Sequence, residues 1–423
     1  MRSDSGYFTY IITTRRMTSG ELLKYRNVLL MTRSYHSERR PENCFDTAVM
    51  TGPGRIESQD FPYPEIGDDA MVIALEMCGI CGTDKRTYRG ETIQYGGTPA
   101  EKSTPLPIIP GHEIVGAVAE IGRRARTRLE YHSKELSVGD RAVMCPDILC
   151  GRCHYCRNFS GFPLCENIRG YGNHFTSTET PHLMGGWAEH IYVRPDAFVN
   201  KAPDGLDAEL AVMTELMAVT YNLDKAKSFY SMDGEGFGSG ASIAVQGVGP
   251  MGLLHVFKAR IMGAGDIVAL DRSDYRLAVA KKFGADFTIN VTGLTSSEII
   301  ERVRDLTEGR GADIALEHRC CRSDPSRNRN GAQGRHVHRR RGLRRRRHGH
   351  AQPASLAARQ VRMIGMCNHP STGYVASLKL LEKFQHIFPL KEVVTHRFKV
   401  AEADAAMAQA VKIDETMKVV ITP

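Results

Sequence analysis

Cys81, Thr83 and Asp84 set a thiol, a hydroxyl and a carboxylate within four positions of a glycine-punctuated stretch, Met77-Cys-Gly-Ile-Cys-Gly-Thr-Asp84. Glycine gives such a turn the backbone freedom to aim side chains at one point. A thiolate that binds zinc needs further ligands from elsewhere in the chain. They occur at Pro110-Gly111-His112-Glu113, where an imidazole and a carboxylate follow two chain-breaking residues. An isolated Cys is most often a small buried apolar residue and an isolated His a satisfied core residue, so the weight rests on the two stretches together.

Cys150, Cys153 and Cys156 recur at every third position, and Cys165 follows. That spacing lets four thiolates surround one tetrahedral ion at about 2.3 Å from each sulfur. An iron–sulfur cluster is the alternative that the same run allows, and a colourless protein would exclude it. The eleven cysteines are clustered rather than spread. No signal-peptide pattern precedes them, so the expectation is a reducing cytoplasm with thiolates on metal rather than disulfides. Cys145 lies outside the pattern and is expected to be buried.

Taken together, these residues resemble the zinc-dependent medium-chain alcohol and polyol dehydrogenases. In that family the catalytic zinc is held by the Cys of Gly-Ile-Cys-Gly-Thr-Asp and the His of Gly-His-Glu, here Cys81 and His112. The resemblance runs from about Ala48 to the C-terminus with one gap. It implies two zinc ions per subunit: a closed structural ion on Cys150, Cys153, Cys156 and Cys165, and a catalytic ion on Cys81, His112 and a third, carboxylate ligand. That ligand is either Glu113 or Glu215, the latter within the apolar helical run Met213-Thr-Glu-Leu-Met-Ala218. The reaction implied is oxidation of a small alcohol or polyol by hydride transfer to NAD. Thr83 would receive the substrate's hydrogen bond and relay the proton, and Asp84 would orient His112. Where several relatives carry a relay His, this chain has Arg86. That departure points to an anionic or highly hydroxylated substrate. Family habit implies a homodimer or homotetramer, with no nucleic-acid or membrane partner. A zinc-free quinone-reductase relative would share the fold but not Cys81, His112 and the four cysteines; a non-catalytic zinc protein would bind metal without turnover.

The elements that must position these groups follow from periodicity. Composition is ordinary for a soluble protein, 42% hydrophobic and 25% charged, and no apolar run reaches membrane-spanning length. Residues 1–46 precede any recognisable element and read as an extension or a misassigned start. Short apolar runs separated by Gly, Pro and Asp fill 47–206, a β-rich domain similar to the GroES-like catalytic domain of the family, with the zinc lobe at 145–166. Its segment Arg123–Leu136 is longer than the family's usual loop. From 207 to 365 strands alternate with helices, as in a Rossmann doubly wound parallel sheet, and 366–423 return to the catalytic domain. The fold class is therefore α/β.

The strand Ala241–Gln246 runs into Gly247-Val-Gly249-Pro-Met-Gly252 and an apolar helix, and a second strand ends at Asp271. In that context the glycines let backbone N–H groups approach a pyrophosphate at the helix N-terminus, and the carboxylate accepts ribose hydroxyls. Asp271 repels a 2′-phosphate, which favours NAD over NADP; Arg272 beside it works in the opposite sense.

The net charge of +8 is local: His318–Pro353 hold twelve Arg and one Asp, a charge of +11, leaving −3 for the rest. A nucleic-acid arm is one reading. The other is a translated frameshift, because arginine codons read one base later yield small apolar residues. Shifted by one base, Gly334–Gly349 permits Gly-Gly-Thr-Phe-Ile-Val-Val-Gly and onward, a Rossmann strand and turn. On this reading the chain as written lacks its fifth parallel strand, so the sheet splits and the protein is an inactive remnant.

Overall fold

Two sheets carry the candidate site, one mostly antiparallel and one parallel. The computed structural model describes residues 44–94, 102–159, 164–228, 238–317, 361–366, 368–369 and 371–423, and the backbone of 331–340. The expected extension at 1–46 lies almost wholly outside them. Phe45–Pro423 form one compact unit.

The first sheet has seven strands. At its centre β1 (Met71–Gly79) pairs antiparallel with β2 (Glu113–Ile121), which pairs with β3 (Arg141–Cys145). β4 (His190–Val193) also lies on β1, and β5 (Phe198–Lys201) on β3. These strands are rich in Val, Ile and Met, and their buried faces pack around Trp187, Tyr171 and Phe175. The long segment after β2 forms a helical turn, Ala125–Arg128. Arg124 grips Asp69 with both guanidinium arms, at 2.9 and 2.5 Å, and Arg128 adds a third contact at 3.0 Å. The Asp69 carboxyl is held down to about 2 by these hydrogen bonds, Arg124's first.

The second sheet is six-stranded. β6 (Ile243–Gln246) pairs parallel with β7 (Ile267–Asp271), and β7 with β8 (Phe287–Asn290). On the other side β6 pairs with β9 (Ala312–Glu317), then come β10 (Gly331–Arg340) and β11 (Arg362–Met366). In chain order from β6 this is 3-2-1-4-5-6, the doubly wound order.

One expectation is corrected here. The Arg-rich block does not leave a gap: β10 occupies the fifth place and pairs in parallel with β9 and β11 along His336–Arg340, with an irregularity between Gly331 and His336 on the β9 side. Ladder hydrogen bonds come from backbone groups that every non-proline residue carries, and a polar sequence can therefore complete them. The strand ends at Arg340. The remainder of 318–353 lies outside the described residues.

The chain finally returns to the first sheet. β12 (Val394–Lys399) pairs with β13 (Lys418–Thr422), and β13 lies against β1 beside Gly79 and Cys78. A residue near the C-terminus thereby comes to rest behind the Cys81 turn.

Candidate metal centre and dinucleotide site

β1 delivers the chain to the Cys81 turn, and helix α1 (Gly82–Tyr88) starts there with Cys81 as its N-cap. Asp84 reaches back, its Oδ2 accepting the Cys81 N–H at 2.7 Å. Its Oδ1 accepts the Gly111 N–H at 3.3 Å. One buried carboxylate thus ties the two candidate ligand loops together through their backbones. Gly111 is itself required: its φ is +89°, and a Cβ there would sit 2.4 Å from Trp187 Cδ1 and 2.7 Å from Cys78 Sγ.

His112 follows at once and points its ring at the Cys81 turn. Its Nδ1 lies 3.8 Å from Asp84 Oδ1 and makes no hydrogen bond. Asp84 therefore faces the imidazole, but its hydrogen bonds go to the two backbone amides. Burial depresses the protonation of His112, yet Cys81 and Asp84 outweigh it and raise the pKa well above the ordinary value. Ligand atoms of Cys81, His112 and Glu113 all lie within 4.8 Å of one another. Thr83 is on the first turn of α1, half-buried.

The two carboxylates proposed as alternatives differ in surroundings. Glu113 is fully buried and ion-paired through Oε2 with Lys418, the first residue of β13, itself 2% exposed. Lys418 Nζ also donates to Ile80 O at 3.1 Å, one residue before Cys81. Glu113 Oε1 is buried without a hydrogen bond. Burial raises the Glu113 pKa and Lys418 opposes the rise.

Glu215 lies on α2 (Thr214–Val219), and its Oε1 is 3.1 Å from His369 Nε2. Glu215 is not a member of the three-residue group, though its charge acts on His112 and Glu113. Around His369, the Asn368 side chain donates to Asp147 Oδ2 at 3.1 Å, and Tyr374 Oη is 3.4 Å from His369 Nε2. Burial pushes the Asp147 carboxyl up to about 6. His369, Asp147 and Lys418 were not singled out from the sequence. The one local signal was Lys418, a cation inside the apolar run Met417–Ile421.

The four cysteines form a second, separate group, with sulfurs within 4.8 Å of one another. Cys153 caps the short helix α3 (His154–Asn158) and its Sγ accepts the Cys156 N–H at 3.5 Å; Cys165 Sγ accepts the Cys150 N–H at 3.3 Å. Such N–H···S bonds favour thiolates. Backbone donation, from Arg152 first, lowers the Cys150 thiol to about 6. Cysteines among the described residues are all free, and Cys145 is buried as expected.

At the dinucleotide turn Gly247 has φ +87°, and Gly249 caps α4 (Pro250–Ile261), which carries Gly252 on its first turn. Asp271 Oδ2 accepts the Val248 N–H at 2.9 Å, and Oδ1 accepts those of Arg272 and Ser273 at 2.7 and 3.1 Å. Asp271 therefore shapes the glycine turn as well as ending β7. Arg272 is exposed. Arg276, which the sequence reading missed, brings Nη1 to 3.2 Å from where a Gly249 Cβ would be, and its Nη2 donates to Thr416 O at 3.2 Å.

Comparison with known proteins points to a family. The alcohol dehydrogenase GroES-like domain model matches residues 67–204 and the zinc-binding dehydrogenase model residues 250–324. Sorbitol dehydrogenase of Bacillus subtilis is 31% identical over 277 residues, 66% of this chain and 69% of that protein. L-threonine 3-dehydrogenase of Pyrococcus horikoshii is 30% identical over 272 residues, 64% of this chain and 68% of that protein. The crystal structure of an alcohol dehydrogenase from Thermotoga maritima superposes with a TM-score of 0.77 at 26% identity, covering 90% of this chain and 100% of that one. No helix among the described residues is long and apolar enough to cross a membrane. The chain is an oxidoreductase of the zinc alcohol dehydrogenase type, using zinc and a nicotinamide dinucleotide on a small-molecule alcohol, and it belongs to the zinc-dependent medium-chain dehydrogenase family.

Proposed function

We propose that the chain oxidises a polyol or secondary alcohol by hydride transfer to NAD, with Cys81, His112 and Glu113 holding the catalytic zinc. The observation that carries this is Glu113 Oε1, a buried carboxylate oxygen without a hydrogen bond, grouped with Cys81 and His112. An anionic oxygen left bare in the interior is costly, and a cation beside it removes that cost. Three protein ligands also leave the fourth position for substrate. The four sulfurs of the lobe suit a closed structural zinc, since they fill a tetrahedral shell and their backbone N–H donors stabilise thiolates.

Bound zinc supplies Lewis acidity that lowers the pKa of the alcohol. The chain's own residues do the rest. Asp84 fixes the Cys81 and Gly111 loops at one separation. Lys418 neutralises Glu113 and steadies the Ile80 carbonyl. Thr83 takes the hydrogen bond of the substrate hydroxyl and passes its proton outward. Gly247, Gly249 and Gly252 open the N-terminus of α4 to the pyrophosphate, Arg276 covers it, and Asp271 accepts the ribose hydroxyls. Asp271 favours NAD, while exposed Arg272 is the group that a 2′-phosphate would use. Family resemblance supports a homodimer or homotetramer, and the clustering of the cysteines into a metal-binding lobe supports a reducing, cytoplasmic setting. Assay of the zinc-loaded chain with NAD and NADP against sorbitol, other polyols, secondary alcohols and L-threonine tests the reading. Reduction of NAD by a polyol is expected, and no reduction by any of them contradicts it.

A second proposal concerns 318–353. A strand between two parallel neighbours is ordinarily apolar on both faces, yet β10 reads Gly-Ala-Gln-Gly-Arg-His-Val-His-Arg-Arg. This favours a translated frameshift over a nucleic-acid arm. Resequencing the gene across these codons tests it: a single-base change that restores the apolar strand is expected, and an unaltered frame with full NAD binding would contradict it.

A further inference from the structure

We infer that His369 is a positioning residue that holds Glu215 away from the catalytic metal and so keeps the fourth coordination position open. This rests on the reading above, in which Cys81, His112 and Glu113 are the protein ligands.

Glu215 is a buried carboxylate on the rim of that group. It sits on α2, which packs against β2, the strand that begins at Glu113. A carboxylate so placed is a ready fourth ligand, and a zinc with four protein ligands is a closed, inert site like the cysteine lobe. What the structure shows instead is Glu215 turned to His369, Nε2 to Oε1 at 3.1 Å, and outside the three-residue group. Donation from Nε2–H suffices for this bond, so the imidazole serves whether neutral or protonated.

His369 is itself well fixed. It is 2% exposed, and its ring stands edge-on to Tyr374 with centroids 5.1 Å apart. Its neighbour Asn368 adopts φ +57° and is anchored from both sides: it donates to Asp147, and its carbonyl accepts from Asn222 Nδ2 at 3.4 Å. The partner of Glu215 is thereby set by the segment after β11, while the metal group is set by β1, α1 and β2. Two independently positioned walls keep acid and metal ligands apart.

The test is the release of metal from the full chain into a chelator, followed separately for the lobe ion and the Cys81 ion, with the visible spectrum of the cobalt-substituted protein as a second readout. His369→Ala should slow release of the Cys81 ion, shift the cobalt spectrum and raise the KM for alcohol, because Glu215 can then close the shell as a fourth protein ligand. His369→Gln, which keeps an N–H donor, should behave as the parent. The double variant His369→Ala/Glu215→Ala should return release to the parental rate or faster. His369→Asn, too short to reach Glu215, repeats the measurement should His369→Ala fail to fold. Unchanged or faster release in His369→Ala and His369→Asn overturns the inference. Retention of the ion by Cys81→Ala would instead overturn the ligand reading beneath it.

Discussion

The two metal centres of this molecule are built in opposite ways. The cysteine lobe takes all four donors from Cys150–Cys165, a short stretch whose own backbone N–H groups supply the sulfur hydrogen bonds. The Cys81 centre draws on residues far apart in the chain: Cys81 and Asp84, His112 and Glu113, Glu215, His369 and Lys418. The local centre can form wherever its stretch folds. The distributed one exists only when the whole sheet closes, and its partners are buried charged side chains. A closed shell of four thiolates stabilises structure, whereas a shell of three ligands with a guarded opening can do chemistry.

This contrast predicts that damage will stay on its own side. The largest effect is expected from His112→Ala, which should lower NAD-linked turnover by about 10³-fold, several kcal/mol of lost charge stabilisation, while the lobe keeps its ion and the dinucleotide still binds. Steady-state kinetics with metal analysis would check this, and loss of both ions together would break the contrast. Next comes Lys418→Met, which strands the buried Glu113 charge and should cost about 3–5 kcal/mol of stability by denaturant titration. Adding Glu113→Gln should recover much of that loss. Cys153→Ser should remove the lobe ion alone, with the cobalt spectrum of the other site unchanged. The smallest effect is expected from Asp271→Asn, which keeps one acceptor oxygen for the Val248 or Ser273 amide. It should weaken NAD binding about tenfold by fluorescence titration and narrow the preference over NADP.

The same contrast explains what could be read from the chain. The lobe, the glycine turn and Asp271 are legible because their donors are close in sequence and each spacing has one physical use. The succession of strands and helices in the parallel-sheet region follows from alternating periodicity, and the strands near Phe287–Asn290 and Ala312–Glu317 fall where that periodicity places them. Cys81, His112 and Glu113 are legible as two short stretches whose meeting is supplied by the family resemblance. Lys418 and His369 are not, because nothing local to β13 or to Asn368–His369 says which loop a distant strand will cover. Arg276 is hidden for a related reason: on helix α5 (Asp274–Lys282) it reads as an ordinary cation until the fold lays it across Gly249. The expected break at the fifth strand fails on different grounds. It weighed side-chain character, whereas the ladder along His336–Arg340 is a matter of backbone pairing.

The most direct test of two separately built centres is the zinc content per chain of the parent, Cys81→Ala and Cys153→Ser proteins, purified identically and measured by elemental analysis. Two ions in the parent and one in each variant are predicted. A parent with one ion, or a variant that loses both, would contradict the account.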